Sequence, residues 1–508
     1  MAPFERQFDV TKVREKLDPT PCEIVRELVR AGYEAYIVGG AIRDILIGAT
    51  PKDYDISTSA TPEQVKKVFG HRRCHVIGRR FRLAHVYSEG QLYEVSTFRR
   101  RPNVIERRGK YSSDGVMIWN DNCFGTLEDD AGRRDFTVNA LYFDVVGKQG
   151  IIDLHNGLDD IRKRIVRVIG NPAERMDEDP VRMLRALKLV AKGGFELTPA
   201  LRSVIRDHAA KIQLASPARL FEELLKIFNH HAADKTFDVM HQYGFLKYYW
   251  PTLDEAWEEP LGEFVRDMLR LRGEAMQNGI YSNSRALSLS TVALPFMMLG
   301  LHPDEPNKLW HGNIRYDDVA IRVVDLLFEN FRLPHLLGER VLTILEIVPK
   351  LFEQPVPTRA LADNEYRYAR SVALLLCRHF GWDTKPIEEL PDGYTSRSDK
   401  EEIDYHQPPF SAQELLRQRQ ENRVEIHPSQ PIEAATQASD DDNTITFAPN
   451  ASALTSSEQE EEDPRTRAKR LRRRRRREHK KHLNAIAKGL IPPDDPPSSE
   501  DNDNTLDP

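Results

Sequence analysis

Cysteine is sparse, and the few residues present are badly spaced for joint chemistry. Cys22, Cys74, Cys123 and Cys377 form no CxxC pair and no close ligand set. That argues against a disulfide scaffold or a zinc ribbon and fits separate reduced thiols in a cytoplasmic protein. The stretch MAPFERQFDV lacks the apolar core of a signal peptide. No segment approaches the ~20 apolar residues of a membrane span, so none is expected. The longest apolar runs, such as VALLL near residue 372, suit buried helices. No internal repeat is visible. The helical part carries no HD signature of a metal phosphohydrolase, which excludes a fused hydrolase of that type.

Charge of one sign is also lacking on average, but not locally. The 508 residues carry 73 Lys and Arg against 79 Asp and Glu, a formal net charge of −6. Residues 465–481 alone hold about +11, which leaves about −17 on the remainder. A compact basic segment on an acidic body points to a polyanionic partner. Hydrophobic content of 40% with 30% charged residues suits a globular enzyme with polar extensions, long enough for two to four domains.

The pattern along the chain predicts an α+β protein. Residues 1–20 read as a poorly ordered lead-in. Residues 21–150 mix short strands with helices and form a head. The spacing predicts a first helix over 21–31, a strand at 36–38, a Gly-Gly turn, a helix over 41–47 and a strand at 54–57. Thr61 followed by Pro62 predicts a capped helix running to about Phe69. Strands at 83–87 and 92–98 flank Ser88-Glu89-Gly90-Gln91, a hairpin signal. Residues 99–122 read as a mobile loop. From about 150 helices dominate: 180–191, 199–210, 217–229 and 233–243 in a neck over 151–250. Further helices follow at 261–278, 285–300, 317–330, 338–353 and 359–380 in an all-α body over 251–383. Residues 384–508, rich in Pro, Ser, Asp, Glu and Arg, read as a largely disordered tail with an Arg-rich segment at 465–481.

The densest chemical signal is VGGAIRDILIGATPKDYDI, residues 38–56. A strand, a Gly-Gly turn and a helix start bring backbone N–H groups close to a phosphate, and Arg43 adds a cation one turn on. A Gly-Gly turn alone is a weak signal. Asp53 and Asp55 alternate, so in a strand both carboxylates would project from one face. Two adjacent anions repel unless a cation neutralises them, and a pair of Mg²⁺ ions accepts such hard oxygen ligands. Glu94, on a later strand, is a candidate third carboxylate. Alone, a DxD is most often a solvated loop; Gly-Gly, Arg-Asp and DxD in this order, followed by an acid-bearing hairpin, are far more specific.

Here the sequence resembles a known family. GGAIRDILIGATPKDYDIST is similar to the catalytic signature of class II tRNA nucleotidyltransferases and bacterial poly(A) polymerases, in the polymerase-β-like superfamily. RRDFTVNALYFD, residues 133–144, matches the family's second motif, and EDPVRMLRALKLVAK, residues 178–192, its nucleotide-selection motif. The likeness covers roughly residues 20–250 and continues more weakly through 325–355. It implies a nucleotidyltransferase head with a mixed sheet, then an all-α neck and body. It further implies that Asp53 and Asp55 bind metals, and that Gly39, Gly40 and Arg43 shape a triphosphate site. Arg134, Asp135 and Asn139 would contact the ribose and phosphates of the incoming nucleotide. Asp179 and Arg182 would meet the base edge, with Arg185 supporting them. At a spacing of three on a helix, Asp179 and Arg182 would share a face; without the other motifs they would read as a surface salt bridge.

The family divides between adding CCA to tRNA and adding AMP units to RNA 3′ ends. VIGRRFRLAHVYS, residues 76–88, looks like the poly(A) form, as do the run DNCFGTLEDDAGRRDFT and the basic tail. Arg472, Arg473, Arg474, Arg475, Arg476 and Arg477 can neutralise RNA phosphates and release counterions; such a tail also suits another polyanion, or solubility. The expected activity is therefore template-independent transfer of AMP from ATP to RNA, with two Mg²⁺ ions. RNA 3′ ends and ATP are the expected partners, and RNA-degradation machinery is a candidate protein partner. A CCA-adding enzyme and a non-catalytic RNA-binding protein on the same scaffold are the alternatives; the intact Asp53/Asp55 pair argues against the second.

Overall fold

The computed structural model describes residues 10–78, 82–101, 123–147, 149–281, 284–301, 316–353, 355–391 and 409–424. All of them lie in the first of the chain's two units, residues 1–433. The N-terminal part is built on one mixed sheet. Its strands are β1 (Ala35–Val38), β2 (Asp55–Thr58), β3 (Cys74–Ile77), β4 (Leu83–Ser88), β5 (Gln91–Thr97), β6 (Leu141–Phe143) and β7 (Ile151–Asp153). They lie in the order β3-β4-β5-β2-β1-β6-β7. Only β2 and β5 pair in parallel, and that pairing sets Asp55 directly beside Glu94.

The local reasons are those of the sequence, with shifts at the ends. Within the lead-in read as poorly ordered, helix α1 (Val10–Lys16) forms, because Val13 and Leu17 are buried and Arg14 donates to the Val145 carbonyl at 3.2 Å; residues 1–9 lie outside the described residues. Helix α2 (Pro19–Arg30) starts two residues early, where Asp18 caps the Thr20 N–H and Pro19 takes the first turn. It buries Ile24, Val25 and Leu28. Helix α3 (Gly40–Leu46) follows β1 through Gly39. Helix α4 (Pro62–Arg73) has the full capping box of Thr61 and Gln64, and continues past Phe69 across a kink at Gly70. The β4–β5 hairpin turns at Glu89 and Gly90, both at positive φ (51° and 74°), as a two-residue hairpin that matches strand twist requires. Helices α5 (Leu127–Arg133) and α6 (Gly157–Lys163) complete this layer. The sheet passes the expected boundary at 150, since β7 pairs with β6.

A short parallel pair, β8 (Ile165–Val166) and β9 (Glu196–Leu197), brackets the neck, which holds α7 (Pro172–Glu178) and α8 (Val181–Gly193). Helices α9 (Pro199–His208), α10 (Pro217–Phe228), α11 (Ala233–Gln242), α12 (Leu246–Tyr249) and α13 (Pro251–Ala256) follow. The body comprises α14 (Pro260–Gln277), α15 (Arg285–Leu301), α16 (Tyr316–Phe328), α17 (His335–Lys350), α18 (Thr358–Leu361) and α19 (Tyr366–Phe380). Its aromatic knot centres on buried Trp250, which meets Phe237, Phe328 and Phe331 and donates Nε1–H to the Leu327 carbonyl at 2.7 Å.

One expectation needs correction here. The single helix expected over 359–380 is broken, because the Asp363 carboxylate takes the Glu365 N–H at 2.8 Å and Glu365 pairs with Arg340 at 2.7 Å. In the segment read as largely disordered from 384 onward, two helices form, α20 (Lys385–Glu388) and α21 (Ala412–Val424). Phe410 anchors the second. Its N–H donates to the Leu333 carbonyl at 2.9 Å, and its ring lies over Gly338, where a Cβ would come within 2.3 Å. The segment 102–122 and residues 425–508, with the six arginines from Arg472 to Arg477, lie outside the described residues. Among the described residues no helix is long and apolar enough to cross a membrane.

Candidate active site

The Gly-Gly turn is shaped by close approach. Gly39 has φ 78°, donates its N–H to the Leu141 carbonyl at 3.0 Å, and has the Arg134 guanidinium 3.4 Å from where its Cβ would stand. Such a φ disfavours every residue but glycine. A Cβ on Gly40 would lie 3.5 Å from the Arg43 guanidinium. Arg43 is held by Asp44 (2.8 and 2.7 Å) and by Asn139 Oδ1 (2.5 Å).

From Asn139 a polar chain runs into the neck. Asn139 Nδ2 donates to Asp135 Oδ1 at 3.1 Å, as does the Phe136 N–H at 2.8 Å. Arg185, on α8, approaches Asp135 Oδ2 at 2.8 Å. Burial works against ionising Asp135, but Arg185, the Asn139 amide and the Phe136 N–H together hold its carboxyl below the usual range. Arg43, Asn139, Asp135 and Arg185, four of the residues singled out in the sequence, therefore form one connected set. Arg134 belongs to a second set. It donates to the Tyr142 hydroxyl at 2.9 Å and to Asp130 Oδ2 at 3.1 Å, with its guanidinium 5.1 Å from the Tyr142 ring centroid. Burial opposes its charge, yet Tyr142 and Asp130 hold it firmly protonated.

Asp53 and Asp55 do not share a strand. Only Asp55 lies in β2; Asp53 precedes it in the loop. Asp55 is accessible at the strand's start, with protein around it. Burial raises its carboxyl pKa and the charge of Asp53 raises it further, against Arg134, Arg185 and Lys226. Glu94 is raised likewise, first by burial and then by Asp55. The two aspartates thus suit a hard cation. Mg²⁺ commonly takes one or two protein carboxylates and completes its shell with water and substrate phosphates. Among the described residues no three His, Cys, Asp or Glu side chains converge as a ligand group. Glu94 stands in register with Asp55 without closing a cage of three.

Asp179 and Arg182, expected to share one helix face, do not lie in the same helix. Asp179 is extended (φ −151°, ψ 96°) at the end of α7, because Pro180 starts the next helix. Its Oδ1 caps the Val181 N–H at 3.1 Å and its Oδ2 accepts from Arg219, on α10, at 2.7 Å. Arg182 instead bonds the Arg175 carbonyl (2.7 Å) and Glu178 (3.1 Å). Buried Arg175 ties α7 to the second motif through the carbonyls of Arg133 and Arg134, at 2.5 and 2.8 Å. Asp130, Tyr142, Arg175, Glu178 and Arg219 went unread in the sequence. Arg175 and Glu178 had a signal, an acid three residues after a base on a helix. Asp130 had a signal only for Arg134, four residues on; its contacts with Ser57 and Tyr142 are tertiary.

The poly A polymerase head domain family matches residues 35–167, and residues 194–256 match the family described as "Probable RNA and SrmB- binding site of polymerase A". Poly(A) polymerase I of Escherichia coli is 37% identical over 325 residues, 63% of this chain and 68% of that protein. Poly(A) polymerase I of Haemophilus influenzae is 40% identical over 265 residues, 52% of this chain and 58% of that protein. The CCA-adding enzyme of Bacillus licheniformis is 34% identical over 224 residues, 44% of this chain and 53% of that protein. Among solved structures, the Bacillus stearothermophilus CCA-adding enzyme in complex with CTP aligns with a TM-score of 0.48 at 27% identity, covering 73% of this chain and 80% of that one.

Proposed function

The chain belongs to the family of bacterial poly(A) polymerases and class II tRNA nucleotidyltransferases, and from that premise we propose how its head and neck divide the catalytic work. It is a polynucleotide adenylyltransferase that adds AMP from ATP to RNA 3′ ends without a template and releases pyrophosphate. The observation that carries the reading is the higher identity to two poly(A) polymerases, 37% and 40%, than to the CCA-adding enzymes of B. licheniformis, 34%, and Lactobacillus helveticus, 29% over 352 residues.

In the reaction the RNA 3′-hydroxyl oxygen bonds to the α-phosphorus of ATP while the bond to the bridging oxygen breaks and pyrophosphate departs. Asp53 and Asp55 would hold a divalent metal, Mg²⁺ in two copies on this reading, which would supply a lowered pKa for the attacking hydroxyl and positive charge for the triphosphate. On this reading Glu94, which stands in register with Asp55 on the neighbouring strand, receives the hydroxyl proton. The Gly39-Gly40 backbone, Arg43 and Arg134 take the departing phosphates. Asn139 and Asp135 orient Arg43 and meet the ribose. In the neck the Asp179 carboxylate accepts from the exocyclic amine of adenine and Arg182 donates to its ring nitrogen, with Arg219 holding Asp179 and Glu178 holding Arg182. Helices α9 to α13 and the Arg-rich tail contact RNA. A cytoplasmic location goes with this reading as an expectation, to be checked by cell fractionation, and RNA-degradation machinery is the protein partner to seek by co-purification.

The test supplies a labelled RNA with one nucleoside triphosphate at a time, with and without a chelator. Long products with ATP alone, abolished by chelation and restored by Mg²⁺, support the reading. Extension with CTP, or growth that ignores the chelator, contradicts it.

A further inference from the structure

The strand order carries a second message, which rests on the site reading above. Across the sheet the sequence of features is β6 and the Gly39-Gly40 turn, then Asp55 on β2, Glu94 on β5, β4, and the edge strand β3. Asp55 pairs with Glu94, Glu94 with His85, and His85 with His75. Directly paired residues share one face, so these four form a straight row over four strands. The alternate residues Cys74, Val86, Tyr93 and Val95 face the core instead. At the spacing of neighbouring strands, His85 stands about 10 Å from Asp55 along this row.

Next to Glu94 the row holds His85, 15% exposed at its side chain and 4.0 Å from the Glu94 carboxylate, and the exposed part of the face, toward the hairpin, is aromatic and apolar. Tyr87, diagonal to His75, lies edge-on to its ring at 5.7 Å. Tyr87 is 43% exposed, and Leu92, its direct partner, 42%. Exposed residues of this kind, continuous with catalytic carboxylates, call for an occupant.

In-line displacement identifies it. The attacking and leaving oxygens sit on opposite sides of the phosphorus. The leaving group belongs to the Gly39-Gly40, Arg43 and Arg134 side of Asp55. The 3′-hydroxyl must then arrive from the other side, over β5 and β4. We propose that the β4–β5 face around Tyr87, braced by His75, is the platform on which the 3′-terminal bases of the RNA stack as the hydroxyl reaches Asp55 and Glu94. Every base has a π-face, so such a platform accepts any RNA end, as an enzyme without a template requires.

The experiment measures steady-state AMP transfer to an oligoadenylate primer and to the same primer made abasic at its last two nucleotides, using the full-length chain. Tyr87→Ala should raise KM for the intact primer by roughly 5- to 100-fold, with the loss in KM for RNA rather than in kcat and with KM for ATP unmoved. Tyr87→Phe should restore it. The abasic primer should penalise the parent protein and add little further penalty in Tyr87→Ala. The inference is overturned if Tyr87→Ala keeps the parent KM for RNA, or if the two penalties multiply independently. Full activity in Asp55→Ala would instead overturn the site assignment on which the platform rests, so the two failures are distinguishable.

Discussion

Replacing Arg185 by Ala should expose how much of the nucleotide site depends on one ion pair. In the parent protein Asp135 is 5% exposed at its side chain and Arg185 is 47% exposed, with 2.8 Å between them. Removing a partner from a fully buried pair costs about 3–5 kcal/mol. Here solvent screens one partner, and Asp135 keeps two N–H donors, from Phe136 and Asn139. We therefore expect about 1–3 kcal/mol, the cost of a buried polar group that loses a main partner. The sign with pH follows from linkage. The carboxyl of Asp135 is depressed in the folded parent, so its stabilisation is present above the unfolded pKa and is lost as pH falls through the folded one. In Arg185→Ala burial prevails and the folded pKa rises. The deficit should then be full at pH 7.5 and shrink on acidification, as Asp135 takes a proton. Urea unfolding of both proteins from about pH 5 to 7.5 measures it. Adding Asp135→Asn to Arg185→Ala should recover part of the loss, because a neutral amide needs no counter-ion. A deficit below ~0.5 kcal/mol at pH 7.5, the size of an ordinary surface change, would refute the reasoning. So would a deficit that does not change with pH.

Asp53→Ala and Asp55→Ala should each lower AMP transfer by at least ~10²-fold, the scale of losing a preorganised electrostatic group, with circular dichroism unchanged. Glu94→Gln should slow the rate with little effect on ATP binding, measured by nucleotide titration under single turnover. Arg182→Ala should relax the preference for ATP over CTP in direct competition, since it removes one hydrogen-bond donor to the base. Deleting residues from Arg465 onward should preserve transfer at saturating RNA. RNA affinity should fall, with a shallower dependence on salt; identical salt slopes for both chains would remove the tail from RNA binding.

Particular residues show where sequence suffices. Thr61, Pro62 and Gln64 dictated their helix start, and Glu89-Gly90 its hairpin, because caps and tight turns are settled within four residues. The motifs singled out Arg43 and Asn139, which do meet, although the local pattern defined the helix of Arg43 and no element around Asn139. The failure at Asp179 is equally physical. Helical spacing was extended one residue too far across Pro180, which does not follow a helical residue comfortably, and Asp179 turned to Arg219 on a separate helix. Of the partners of Asp130, only Arg134 is local; those with Ser57 and Tyr142 are tertiary and leave no mark in the spacing. Phe410 likewise gave no periodic signal, although it pins a segment that composition alone assigned to disorder.

The central claim concerns which nucleotide is added, and when addition stops. The full-length protein is given all four nucleoside triphosphates with Mg²⁺ and two RNAs, an oligonucleotide of arbitrary 3′ sequence and a tRNA lacking its terminal CCA. The 3′ ends are then sequenced. The account predicts runs of A on the oligonucleotide, longer than three, and no added C on either RNA. Exclusive addition of C, C and A to the tRNA, with the oligonucleotide left unextended, would contradict it.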